Sequence, residues 1–333
     1  MTFLPIRAAG PDPTREEQQE MPPDTLAEVA GRVLTLSNLD KILYPSGFAK
    51  AEVISFYHDI APVLLPHLHD RAVTRVRFPN GTAEASFFEK NAPAGTPEWV
   101  RTCRVTASRT PIDYLVVDEP ATLVLLANQA ALELHTPQWR IADQPPEPFV
   151  VDGATLADQV MVDLDPGPGV TLAQSATAAL EVANVLAAEG LLPVAKTSGG
   201  KGLQVLAAIR PTPADRVLDL VRRLAVTMTQ RHPDRYVATQ ARDQREGKIL
   251  IDWLQNQSVR NTISVYSLRG RERPTVSTPL SWDEVGAATE GAPLDFSPGD
   301  VLGRVARFGD LAADLLLTDR PPLRDAPGPS PTT

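Results

Sequence analysis

Three aspartates carry the most demanding chemistry this sequence can do. Asp163 and Asp165 stand in Gln159-Val160-Met161-Val162-Asp163-Leu164-Asp165-Pro166-Gly167, and Asp252 in Lys248-Ile249-Leu250-Ile251-Asp252-Trp253. Val160, Met161 and Val162 read as a buried strand that Pro-Gly ends at once. Side chains alternate along a strand, so Asp163 and Asp165 point one way and Leu164 the other. Neighbouring carboxylates repel unless a cation stands between them, and hard oxygen ligands suit Mg²⁺ or Mn²⁺. Taken alone, a D-x-D is more often a solvated strand end running into an Asp-Pro turn. Asp252 weighs against that reading. It follows three aliphatic residues, and an aspartate on a buried strand is paired, hydrogen-bonded or metal-bound. Three carboxylates on adjacent strands are what a two-metal phosphoryl-transfer site needs.

The elements that must position these acids follow in order. A strand at Arg32–Leu36 leads through Ser37-Asn38-Leu39-Asp40-Lys41 to an amphipathic helix from Lys50 to about Leu65. Ala72–Phe78 reads as a strand with Arg75 and Arg77 on one face, followed by the turn Pro79-Asn80-Gly81. Phe87 and Phe88 are core residues in most contexts, although exposed aromatics can stack on bases. Val100–Thr106 and Ile112–Val117 form a hairpin, and a helix runs from Pro120 to Leu132. Beyond the strand of Asp163 come a helix (Thr171–Glu189) and a strand (Pro193–Lys196). The turn Thr197-Ser198-Gly199-Gly200-Lys201-Gly202 then precedes a strand at Leu203–Ile209. Such a turn offers backbone N–H groups and one ammonium to an anion, but its spacing is not that of a Walker A loop. A helix (Ala214–Gln230), short strands at Tyr236–Thr239 and Thr262–Leu268, and a short helix from Asp283 complete the core.

Composition sets bounds. The chain of 333 residues has room for one large domain or two lobes, and its 43% apolar and 22% charged residues are ordinary for a soluble globular protein. The single cysteine, Cys103, excludes an internal disulfide and a thiolate cluster and fits a reducing compartment. No apolar run approaches the roughly 18 residues of a membrane span. A cytoplasmic protein, associated with the nucleoid and without a membrane partner, is expected. The net charge of −9 argues against indiscriminate nucleic-acid binding. Basic side chains nevertheless cluster at Arg75 and Arg77, at Arg242, Arg245 and Lys248, and at Arg269, Arg271 and Arg273. Residues 1–30, rich in Pro and Glu, are expected to be a flexible arm, residues 31–300 the functional domain, and 301–333 a short helix with a Pro-rich tail.

Eight motifs in order carry a resemblance: D-K-x-L-Y-P from Asp40, R-x-R-F-P-N-G from Arg75, F-F-E-K from Phe87, L-E-L-H-T-P-Q-W from Leu132, then D-L-D-P-G, T-S-G-G-K-G-L, I-D-W-L-Q-N and Y-S-L-R-G-R. Together, over about residues 32–300, they resemble the polymerase domain of bacterial ligase D, a branch of the archaeo-eukaryotic primase superfamily. The resemblance implies an α/β (α+β) fold of two packed lobes, with mixed and antiparallel sheets and a catalytic lobe like the RNA-recognition fold. It implies template-dependent nucleotidyl transfer, with ribonucleotides favoured over deoxyribonucleotides. Asp163, Asp165 and Asp252 would hold two divalent ions (Mn²⁺ or Mg²⁺). His135, Ser198, Lys201, Arg245, Gln255, Arg269 and Arg271 would bind the nucleoside triphosphate. Phe87 and Phe88 would stack on the template, Arg75 and Arg77 touch the DNA backbone, and Asn38, Lys41 and Lys50 grip a downstream 5′-phosphate.

Two positions depart from the family's pattern: Val76 replaces a lysine between the arginines, and Gln204 replaces a histidine after the glycine turn. No K-x-D-G ligase motif is present. The expectation is therefore a stand-alone, monomeric actinobacterial-type primase-polymerase that borrows a separate ligase, with a Ku-type end-binding protein as a possible partner. Filling of short 5′-phosphorylated gaps in excision repair is favoured. End-joining synthesis at double-strand breaks, through a loop at Ser108–Pro111, is the rival, and a non-catalytic module binding DNA ends or nucleotides is the rival of another class. A metal-dependent nuclease would not need the arginine pair and the glycine turn.

Overall fold

The computed structural model describes residues 2–3, 24–106 and 110–324. The chain runs β1 (Thr2–Phe3), β2 (Thr25–Val29), β3 (Arg32–Leu36), α1 (Lys50–Leu68), β4 (Thr74–Arg77), β5 (Phe87–Glu89), β6 (Thr102–Thr106) and β7 (Pro111–Leu115). It continues through α2 (Pro120–Asn128), β8 (Ala131–Thr136), β9 (Phe149–Val150), β10 (Leu156–Pro166), α3 (Leu172–Ala188), β11 (Pro193–Thr197), β12 (Leu203–Pro213) and α4 (Ala214–Arg231). The remainder is β13 (Tyr236–Val237), β14 (Ile249–Asp252), β15 (Thr262–Ile263), β16 (Leu268–Arg269), β17 (Thr275–Val276), β18 (Pro279–Leu280), α5 (Trp282–Thr289) and α6 (Pro298–Phe308). This is the mixed α+β architecture that the motifs imply.

A six-stranded sheet in the order β13-β14-β10-β12-β11-β18 organises the molecule. Its strands are antiparallel except for the parallel pair β13–β14. Alternation sorts each central strand between two cores. Val160, Val162 and Leu164 of β10 join one buried cluster with α3, α4 and α5, as do Val205 and Ala207 of β12 and Ile249 and Ile251 of β14. Met161, Val194 and Leu206 belong instead to the cluster built around α1, α2 and β8. The acids share the parity of Met161, so they emerge on the face turned toward the second core. There a four-stranded sheet, β15-β8-β4-β5, stands opposite. Each fully buried Val, Leu or Ile contributes about 1.5–3 kcal/mol, which makes both faces of the central sheet costly to disturb.

Several boundaries differ from expectation. The arm does not extend to residue 30, because β2 pairs residue for residue with β3 across a turn at Ala30 (φ 49°) and Gly31 (φ 78°). Two positive φ values are the hairpin geometry that suits right-twisted strands. The helix expected to reach Leu132 ends at Asn128, and Ala130 (φ 56°) turns the chain into β8. The strand expected over Thr262–Leu268 breaks at Tyr266 (φ 62°), which lets it leave β8 and join β17. The domain also runs past residue 300. α6 starts at Pro298 behind a Ser297/Asp300 capping box, and its Val301 is buried in the core around α1, α2 and β8, with Leu315 beyond it. Of the expected bridging loop at Ser108–Pro111, Ser108 and Arg109 lie outside the described residues, and Pro111 already opens β7.

Candidate active site

Sheet register does the first part of the assembly. Asp163 lies directly opposite Asp252 on β14 and opposite Gln204 on β12, and Gln204 in turn lies opposite Lys196 on β11. Lys196, Gln204, Asp163 and Asp252 thus form one row across four strands on the inter-core face. Asp165 follows Asp163 by one pleat. The alternation expected from the sequence holds, and two of the three acids are cross-strand neighbours.

Every member of the row has a partner. Gln204 Nε2 donates to Asp163 Oδ1 at 3.1 Å. Asp252 Oδ1 accepts from Gln240 Nε2 at 2.8 Å and from Leu254 N at 3.1 Å, and Oδ2 accepts from Gln255 Nε2 at 2.9 Å. Arg245 reaches Asp165 Oδ2 at 2.7 Å. Burial, with repulsion from Asp165 and Asp252, pushes the Asp163 carboxyl up to about 7, against the opposing pull of Gln204 and Lys196. Lys196 is fully buried and donates to Ser277 Oγ, and burial lowers its ammonium to about 7. Sequence reading passed over Lys196; its place in a buried strand gave no hint that its charge stands in this row.

The glycine turn and the arginine pair form the facing wall. A Cβ on Gly199 would lie 2.3 Å from Arg269 Cγ, and one on Gly200 would lie 3.2 Å from a terminal nitrogen of Arg271. Only a turn free of side chains lets the two arginines lie against it. Glu133 then fixes Arg269: its Oε2 accepts from Arg269 Nη1 at 3.2 Å and bonds His135 Nε2 at 2.8 Å, while Oε1 accepts from Gly270 N at 3.0 Å. Burial alone would raise the Glu133 carboxyl, but its bonds to His135, Arg269 and Gly270 hold it below the usual range. Tyr44 Oη donates to the Arg269 carbonyl at 2.9 Å, tying the first motif to the last. Glu133 and Tyr44 are functional supports that the motifs contained but that attracted no role.

Between acids and arginines opens a cleft of about 540 Å³. His135, Asp163, Asp165, Ser198, Lys201, Gln255, Arg269 and Arg271 line it, together with Gln204, the departure from the family's pattern, and with Asn261 and Thr262, whose part the motifs did not reveal. Two predicted residues stand apart. Asp252 lies behind Asp163, outside the lining, and Arg245 also lies outside it, paired with Asp165 at the edge of the cleft. Arg269 Nε and Gln204 Oε1 are buried and lack a protein partner among the described residues, so the cleft presents an unmet donor and an unmet acceptor. Buried groups of that kind call for a ligand or water.

A divalent ion fits this donor set by its chemistry. Three hard carboxylates converge in register, and their repulsion is what a cation relieves. No ready-made cage of three His, Cys, Asp or Glu side chains exists among the described residues. Asp165 must release Arg245, and Asp252 at least one of its two glutamines, before both can turn to a common ion.

The DNA-facing expectations divide. Phe87 and Phe88 are exposed on β5, and the Phe88 ring stands edge-on to His135 at 6.2 Å. Aromatic rings at the mouth of the cleft are therefore available for stacking. Arg75 departs from the expected contact with the DNA backbone. Arg75 is buried, bonding Glu89 Oε2 and, at 2.9 Å, the Asn91 carbonyl, while Arg77 bonds Glu89 Oε1 at 3.1 Å and the Gln129 carbonyl at 2.8 Å. On β4, between β8 and β5, both bond Glu89 and so clamp the strand that carries the phenylalanines; Arg75 does so from the interior and Arg77 from a partly exposed position. Asn38, Lys41 and Lys50 do meet. Asn38 (φ 50°) turns the chain so that Lys41 N donates to its carbonyl, and Lys50 N donates to the Lys41 carbonyl at 2.8 Å.

One consequence for stability follows from Asp163. Unfolded, it ionises near 3.8; folded and cation-free, near 7. Between these values the folded state holds the extra proton, so stability falls as pH rises from about 4 to 7 and the cost is complete above 7. Asp163→Asn is expected to raise stability at pH 8 by on the order of 2 kcal/mol in chelator, with little change at pH 4. Denaturant unfolding at the two pH values measures this; equal effects at both would remove the electrostatic cause.

An α+β fold whose central sheet lays acids against a glycine turn and paired arginines defines a domain of the primase-polymerase type. The model of the family described as LigD, primase-polymerase domain, matches residues 49–312, and the chain belongs to that family. It is 40% identical over 282 residues to the multifunctional non-homologous end joining protein LigD of Mycolicibacterium smegmatis, covering 84% of this chain and 36% of that protein. The LigD of Mycobacterium tuberculosis H37Rv is 38% identical over 312 residues, 90% of this chain and 40% of the relative. The chain therefore spans well under half the length of these relatives. Its fold matches the polymerase domain of M. tuberculosis ligase D, solved in complex with DNA, with a TM-score of 0.80 at 38% identity over 86% of this chain and 99% of that one. No helix among the described residues is long and apolar enough to cross a membrane.

Proposed function

We propose that the protein is a template-directed nucleotidyltransferase that fills short gaps bearing a downstream 5′-phosphate, with ribonucleotides preferred. The observation that carries this reading is the cleft itself: Asp163 and Asp165 on one side, Lys201, Arg269 and Arg271 on the other. Cations on one wall suit a polyphosphate, and acids on the other suit the ions that accompany it. Asp163, Asp165 and Asp252 would hold divalent ions, which when bound activate the attacking hydroxyl and neutralise the leaving pyrophosphate. The chain's own residues do the positioning. Arg269, pre-set by Glu133 and Tyr44, and Arg271 hold the triphosphate against the Ser198–Gly202 turn. His135, Asn261, Thr262 and Gln255 present polar groups to the sugar, and the preference for a ribose rests on these and on the family. Phe87 and Phe88 receive the template base at the step into the gap.

Lys41 and Lys50, with Asn38, favour a gap over an open primer, because a second phosphate site is needed only where DNA continues downstream. End-joining synthesis remains a second reading, favoured by the end-joining names of the relatives. Aligned broken ends present the same 5′-phosphate. A ligase and, at breaks, an end-binding protein would complete either pathway. The test is primer extension on gapped DNA with and without the downstream phosphate, supplying ribo- and deoxyribonucleotides separately with Mg²⁺ or Mn²⁺. Extension on the phosphorylated gap at least about tenfold more efficient than on the unphosphorylated one is expected, a difference of about 1.4 kcal/mol. Absence of extension on every substrate with both ions defeats the polymerase reading.

A further inference from the structure

A second cleft, also about 540 Å³, adjoins the first across the glycine turn. Pro166, Gly200, Lys201 and Arg271 line both. Asp163 and Asp165 line only the first. A triphosphate whose reacting α-phosphorus sits at the acids therefore runs toward Lys201 and Arg271, and its terminal phosphate ends at the shared wall. Gly200 leaves that wall without a side chain, where a Cβ would stand 3.2 Å from Arg271 and 3.6 Å from Ser198 Oγ. Beyond it, the second cleft is lined by Val170, Leu172, Pro293 and Leu294, with Glu272 and the paired Arg273 and Asp295 among its polar residues; the apolar part is surface that a phosphate does not need and a base or aromatic ring does.

We infer that this second cleft receives a group attached to the terminal phosphate of the bound nucleotide. The enzyme then accepts as donors nucleoside 5′-polyphosphates with a bulky terminal substituent, dinucleoside tetraphosphates among them. The inference rests on the polymerase reading of the first cleft. The chemistry balances without a co-reactant. With diadenosine tetraphosphate, the primer 3′-oxygen bonds to the α-phosphorus and the bond from that phosphorus to the bridging oxygen breaks. The primer gains one adenylate, ATP leaves, and the hydroxyl proton passes to water.

Extension of a gapped substrate with a templating T, supplied with ATP or with diadenosine tetraphosphate, tests this on the full chain. The expected result is extension with the dinucleotide at a kcat/KM within about tenfold of ATP, one ATP being released per adenylate added. Pro293→Trp, at an exposed position, and independently Val170→Trp fill the cleft. Each should cut use of the dinucleotide at least about tenfold and leave use of ATP unchanged. Extension with ATP but not with the dinucleotide overturns the inference alone, as does equal use of the dinucleotide by either folded filling variant. Failure with both donors overturns the polymerase reading, and the inference falls with it.

Discussion

Asp252→Ala lowers primer extension at least about 1,000-fold, a loss of about 4 kcal/mol of transition-state stabilisation, while DNA binding changes little. The reason lies in register. Asp252 is the cross-strand neighbour of Asp163, and its two oxygens, held by Gln240 and Gln255, need give up only one of these bonds to turn toward an ion beside Asp163. Removing it deletes one of the three carboxylates proposed to hold the ions and leaves two glutamine amides without their acceptor. Alanine also removes the bond to Leu254 N that caps the following 3₁₀ turn, which costs about 1 kcal/mol of stability. Asp252→Asn separates the two effects, because asparagine caps as well as aspartate. It should leave thermal unfolding unchanged and still lose activity about as severely. If Asp252→Asn retains more than a tenth of the wild-type rate, Asp252 is a structural cap and the three-acid site is wrong.

The central sheet was legible in the sequence because its strands are short aliphatic runs bounded by Pro, Gly and polar residues. Parity along β10 already put Asp163 and Asp165 on one face. What parity could not give was the partner strand. That Asp163 faces Asp252, with Lys196 two strands away in the same row, depends on pairing between segments up to 89 residues apart. The helix expected through Leu132 shows the opposite failure. Leu-Glu-Leu-His alternates as a strand does, but it follows a helical run with no Gly or Pro between, and only Ala130 in a left-handed conformation marks the change. Arg75 and Arg77 looked like outward-facing cations because charge is usually solvated. One carboxylate, Glu89, opposite Arg75 in the pairing of β4 with β5, binds both and accompanies the burial of Arg75, while Arg77 stays partly exposed. Supporting residues such as Glu133 and Tyr44 stay silent in a sequence, since their function is to hold another side chain.

Lys41→Ala combined with Lys50→Ala abolishes the preference for a 5′-phosphorylated gap and spares extension of an open primer. Backbone bonds bring the two together: Ala51 N donates to the Leu39 carbonyl and Lys50 N to that of Lys41, folding the segment onto the start of α1. Lys41 extends to Asn80 Oδ1 at 3.5 Å, on the turn of the arginine-bearing motif, while Lys50 is buried with its ammonium on the Ser37 carbonyl. Two ammonium groups in one place, with only neutral acceptors bonded to them, leave a positive site that a phosphate dianion completes. Burial and the neighbouring Lys41 lower Lys50 to about 8, so its charge is lost as pH rises through that value. The phosphate is fully charged only above about pH 6. The preference should therefore be greatest between about pH 6 and 8 and decline above, and Lys50→Ala alone should remove the decline. Loss of both cations should also flatten the salt dependence of binding to the phosphorylated gap, the slope falling by about 1 to 2. A double variant that still discriminates between the two gaps places the downstream phosphate somewhere else on the protein. Unchanged discrimination between pH 7 and 9 in the wild type shows that Lys50 does not supply the titrating charge.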